Sequence, residues 1–184
     1  MRWSSWRNCS PLCRRRRRAR KSMAAPNGFS RLQIALHWLI AVLIVAAWFT
    51  HEGMGRALRT RIETGASGIE GNTLHVWFGG AAFALILIRI VVRMKRGAPE
   101  HVPGTSPRMA LAATWGHRML YVLMIAAPAL GALAWYGGVR DAGEVHETVA
   151  QVLMIVALGH TAVALVHHFI MKDGTLGRMM RAGN

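Results

Sequence analysis

From residue 29 onward the chain strings together four long apolar stretches separated by polar connections: Ile34 to Thr50, Leu74 to Val92, Met109 to Tyr136 and Val145 to Met171. None has the every-second-residue alternation of a barrel strand. A hydrocarbon core about 30 Å thick takes around 20 helical residues, and each stretch is near or above that length. A lipid-facing backbone must satisfy its polar groups within the segment, so these stretches are read as helices. The predicted fold is all-α, a four-helix transmembrane bundle running up-down-up-down. Pro128 lies inside the third stretch and predicts a kink, tolerated where neighbours satisfy the freed carbonyl.

The connections orient the bundle. The linker from Arg93 to Arg108 holds Arg93, Lys95, Arg96 and Arg108, and the C-terminal segment holds Lys172, Arg178 and Arg181. The other two loops carry Arg56, Arg59, Arg61 and Arg140, offset by Glu52, Glu63, Glu70, Asp141 and Glu144. Lys and Arg gather on the cytoplasmic side, so both termini of this multi-pass protein are expected there, and the loops after the first and third stretches on the periplasmic or external side. Trp38, Trp48, Trp77, Trp115, Trp135 and Tyr136 fall near the predicted ends, where amphipathic rings form an interfacial belt.

Composition agrees: 17% of the 184 residues are charged, against about a quarter in soluble domains. The net charge of +15 is largely a property of the leader, because nine basic residues lie in the first 22 positions and the rest of the chain is about +6. Residues 1–28 are read as a basic cytoplasmic leader, with Met23 an alternative start, and residues 29–184 as the membrane domain. The Arg run has no apolar stretch behind it of the kind a secretory signal needs. Phosphate contacts by this run would be sequence-independent, and no nucleic-acid partner is expected. The two cysteines, Cys9 and Cys13, both lie in the leader, so the membrane domain carries neither a disulfide framework nor a cysteine metal cage.

Ionisable side chains within a membrane are costly and therefore informative. His37 falls in the first stretch, His75 begins the second, His117 lies in the first half of the third, and His146, His160, His167 and His168 lie in the fourth. His146 and His160 are 14 residues apart, which returns to within about 40° of one helix face and separates them by about 21 Å. His167 continues that stripe about 10 Å nearer the cytoplasm, while His168 turns away. By depth His75 faces His146, and either His37 or His117 can complete a pair with His160. Two stacked imidazole pairs in an apolar bundle suit axial ligation of two haems. With no C-x-x-C-H, such haems would be held by coordination alone. Gly79 and Gly80, one turn after His75, would let a planar ring approach. Arg89, 14 residues after His75, lies near the inner pair and can meet haem propionates or an anionic quinone, or else snorkel to the boundary. His51 and His101 read as loop residues.

The segments RLQIALHW (31–38), LHVWFGG (74–80), GHRMLY (116–121) and HETVAQVLMIVALGHTAVALVHHFIMKDGTLGRM (146–179) resemble the bacterial cytochrome b561 family of four-helix di-haem membrane cytochromes. The resemblance runs from about Phe29 to the C-terminus. It implies two haem b groups, with His37 and His160 on the inner one and His75 and His146 on the outer, all four as axial ligands of iron. It implies electron exchange with ubiquinone at the cytoplasmic side, in a pocket lined by His167, with His117 and Arg89 nearby. It further implies a place in the bacterial inner membrane and a periplasmic donor, for which superoxide is one characterised substrate, and hence a superoxide:ubiquinone oxidoreductase-like activity. The outer loops offer no net positive funnel for such an anion.

Two other readings compete. A cytochrome b subunit of a larger dehydrogenase or hydrogenase complex would hold a stable partner. A non-haem proton relay or structural module would use the His stripe without haem. A zinc hydrolase is disfavoured, since no H-E-x-x-H occurs and no carboxylate cluster lies within a span.

Overall fold

A computed structural model describes residues 28–97 and 105–182. The basic leader with Cys9 and Cys13, and His101 in the inner linker, lie outside the described residues. Five α-helices follow in order: α1 (Arg31–Phe49), α2 (Met54–Thr64), α3 (Leu74–Arg96), α4 (Pro107–Gly137) and α5 (Arg140–Val166). A π-helical turn, His167–Met171, continues α5, and a short 3-10 turn, Gly177–Met179, follows. Four of the helices, α5 counted with its π turn, are long and apolar enough to cross a membrane.

Capping residues set the helix limits a few positions beyond the apolar stretches. Ser30 and Gln33 form a reciprocal capping box at the start of α1, through bonds of 3.3 and 3.0 Å. Thr73 caps α3 and Ser106 caps α4, whose first residue is Pro107. Gly138 ends α4 in the left-handed region at φ 68°, leaving only Gly138 and Val139 before α5. Arg140, Asp141 and Glu144, expected in a loop, therefore begin α5. α4 runs as one 31-residue helix through Pro128.

Antiparallel neighbours pack as two hairpins, α1 along α3 and α4 along α5, with α3 against α4 joining them. α1 and α5 do not pack along each other, nor do α3 and α5. The short helix α2 lies against α4 and α5 at what is termed the outer end; the inner end is opposite. The buried core is small, with Ile40, Ala82 and Ile86 surrounded by Leu43, Ile44, Leu85, Ile90 and Met124. Most large apolar side chains face outward instead: Phe49 is 79% exposed, Ile155 69% and Leu158 64%. Apolar surface on that scale needs a lipid environment. The chain is a multi-pass membrane protein.

Candidate functional site

His75 lies in the first turn of α3 and His146 in the second turn of α5, and their rings meet edge to face with centroids 5.9 Å apart. Each ring is oriented by a helix other than its own. His75 Nδ1 lies 2.8 Å from the carbonyl of Ala47 on α1, and His146 Nδ1 lies 2.7 Å from that of Ala127 on α4. A carbonyl can only accept, so each Nδ1 carries the proton and each Nε2 keeps its lone pair, the tautomer that ligates a metal. All four spanning helices thus contribute to this outer pair. Gly131 makes room for it: a Cβ there would lie 3.1 Å from His146 Cε1 and Nδ1. A Cβ at Gly79 or Gly80 would meet nothing within 4 Å.

The inner end gathers more groups. His117 on α4 and His160 on α5 stand 5.1 Å apart between centroids, and His117 Nδ1 donates to Ala113 of its own helix over 2.7 Å. His37 on α1 rests edge-on against Trp38 and lies within electrostatic reach of Arg89, His160 and His117. Arg89 is buried, 9% exposed, and its Nη1 donates to the Gln33 carbonyl over 2.7 Å. It does not snorkel. Gln33 also donates from Nε2 to the Gly97 carbonyl over 3.1 Å, fastening the start of α1 to the end of α3.

Below this group, His167 Nδ1 donates to Asp173 Oδ2 over 2.5 Å. Lys172 takes the left-handed conformation at φ 51° and turns the chain back. Asp173 Oδ1 meanwhile accepts the Thr175 amide at 3.0 Å. Desolvation works to raise the Asp173 pKa, but the hydrogen bonds from His167 and Thr175 outweigh it and hold the carboxyl at about 2. The segment after Asp173 crosses to α1, where Trp38 Nε1 donates to the Met179 carbonyl over 3.0 Å. This strap spans the side on which α1 and α5 stand apart. His168 is exposed and packs on Phe169, and His51 is exposed beside Trp48.

Three features escaped the sequence reading. The first outer loop contains α2, and Arg61 from it is buried rather than displayed as a loop charge. Its guanidinium donates to the carbonyls of Trp135, Glu70 and Gly68 over 2.9, 2.5 and 2.8 Å and lies over the Trp135 ring. Trp135 was expected in the interfacial belt. It is 5% exposed, and its Nε1 donates to Asn72 over 2.8 Å. Asp173, the partner of His167, carried no signal by spacing alone.

Among the described residues no three His, Cys, Asp or Glu converge on one point as a zinc site would require. The His75–His146 donor set instead fits axial ligation from two faces, because its two protonated Nδ1 atoms are committed to carbonyls and both Nε2 atoms are free to coordinate.

The family described as prokaryotic cytochrome b561 matches residues 28–182. The chain is similar to a cytochrome b562 of Cereibacter sphaeroides, 41% identical over 86% of this chain and 99% of that one. It is 30% identical to a probable superoxide oxidase of Yersinia pestis over 83% of this chain and 95% of the relative. It is also 30% identical to cytochrome b561 homolog 1 of Escherichia coli over 84% of this chain and 97% of that protein.

Proposed function

The chain belongs to the prokaryotic cytochrome b561 family of haem b-binding membrane electron-transfer proteins, and on that premise we propose that it carries single electrons across a bacterial inner membrane through two haem b groups. His75 and His146 hold the outer haem, and His37 and His160 the inner. Both termini are cytoplasmic, as the distribution of Lys and Arg favours.

The observation that carries this reading is the outer pair: two rings on helices that do not otherwise pack together, each pinned through Nδ1 to a third and fourth helix. For the inner haem, the separation of α1 from α5 favours His37 opposite His160, since a flat group needs room between its ligands. His117 shares the tightly packed α4–α5 hairpin with His160 and is assigned to the quinone side. When bound, the haems supply one-electron redox chemistry.

Ubiquinone is the acceptor at the inner end, beside His167, His117 and Arg89. Asp173 accepts the Nδ1 proton of His167, so an imidazolium at this position would keep its Nε2 proton to give to a quinone carbonyl while the carboxylate balances its charge. Superoxide is the donor suggested by the similarity to the Yersinia pestis protein. Two superoxide anions each lose one electron and leave as dioxygen, and one quinone takes up those two electrons with two protons to become quinol.

The test is a dithionite-reduced minus oxidised spectrum of the purified protein with haem counted per chain, followed by superoxide-driven ubiquinone reduction. About two low-spin b haems per chain and quinol formation are expected. A folded, haem-supplied preparation without haem would overturn the cytochrome reading. Two haems without superoxide-dependent reduction would overturn the donor assignment alone.

A further inference from the structure

Two guanidinium groups are buried among the described residues, Arg61 at the outer end and Arg89 at the inner. They stand in different relations to the histidines. Arg61 is engaged with three carbonyls and the Trp135 ring. Neither His75 nor His146 is among these partners.

Arg89 bonds the Gln33 carbonyl. The α-helical ladder links that carbonyl to the amide four residues on, that of His37, so the guanidinium is fastened to the turn that carries the ligand. His167 with Asp173 is the one ion pair between described residues, so no described carboxylate lies within 4 Å of Arg89. Gln33 is held in turn by Ser30 and Gly97, which keeps the carbonyl and the charge in register.

We propose that Arg89 is a fixed positive charge that makes the inner ligand pair hold an electron more tightly than the outer pair, biasing transfer from the outer end to the inner end. The proposal rests on the di-haem reading above. With both haems held, the step would move one electron from ferrous iron at the outer pair, oxidised to ferric, to ferric iron at the inner pair, reduced to ferrous, with no other reactant. A ferric haem carries one more positive charge than a ferrous one, and a buried guanidinium disfavours that extra charge. The buried guanidinium of the outer end, Arg61, is instead taken up by three carbonyls and the Trp135 ring.

The test is a spectroelectrochemical titration of the purified holoprotein. The inner wave is identified by removing the outer haem with His146→Ala. The haem that remains is expected to titrate at the higher of the two wild-type potentials. Arg89→Gln is expected to lower the inner wave and leave the outer wave in place, and Arg89→Lys to restore most of the shift. The proposal is overturned if the inner haem has the lower potential, or if Arg89→Gln moves neither wave or both equally. A propionate cancelling the Arg89 charge would give the no-shift result. If Arg89→Gln loses the inner haem, the order of potentials read through His146→Ala still decides. A preparation with fewer than two haems per wild-type chain would overturn the di-haem reading instead.

Discussion

At the outer end, His75 and His146 are aimed by backbone carbonyls of α1 and α4, and Arg61 locks the helix and loop above them. At the inner end, His117 bonds within its own helix, and His167 is held by a carboxylate on a strap that leaves the bundle. The first arrangement uses groups that cannot move unless whole helices move. The second uses side chains and a turn, which can adjust locally at lower cost. A site that keeps one resident group suits the first, and a site that must admit and release a substrate suits the second.

The largest effect expected on this contrast is from His146→Ala. It should remove the outer haem, halving haem per chain by pyridine haemochrome assay while the inner haem's spectrum persists. His37→Ala against His117→Ala comes next: the former should halve haem content, and the latter should keep both haems and slow quinone reduction. Equal haem loss in the two variants would make His117 a ligand.

Third, Arg61→Met should leave three carbonyls without their donor and destabilise the outer end by about 3 kcal/mol. It should lower the thermal midpoint in detergent without changing the inner haem's spectrum. The smallest effect concerns Asp173. Its pKa in the fold, about 2, lies below the ordinary value of 3.8, so the His167 clasp is fully present above about pH 4 and is lost as the pH falls toward 2. The wild-type midpoint should therefore decline across that window, and Asp173→Asn should show a flatter profile there.

The sequence revealed the membrane helices and the outer pair for the same reason: both follow from long-range regularity. A span is a 20-residue signal, and the 14-residue step from His146 to His160 survives small errors in helix limits. α2 is too short and too polar to register beside such signals, and its Arg61 looked like any loop charge. Burial of Arg61 depends on carbonyls that only converge once Gly68, Glu70 and Trp135 are folded together. Trp135 likewise has the position of a belt residue, but Asn72 and Arg61 draw it inward. Asp173 meets His167 because a π turn and the left-handed Lys172 bring back a chain that a regular helix would carry away. Helical periodicity left both His37 and His117 open opposite His160, because it gives depth and face and carries no information on which helices stand apart.

The strap that joins Met179 to Trp38 also bears on the order of assembly. It follows all four spanning helices in the chain, so it is synthesised after them. Once Trp38 takes the Met179 carbonyl, the first and last membrane helices are latched to one another. Closure of the bundle on this side thus waits for the last part of the chain to be made.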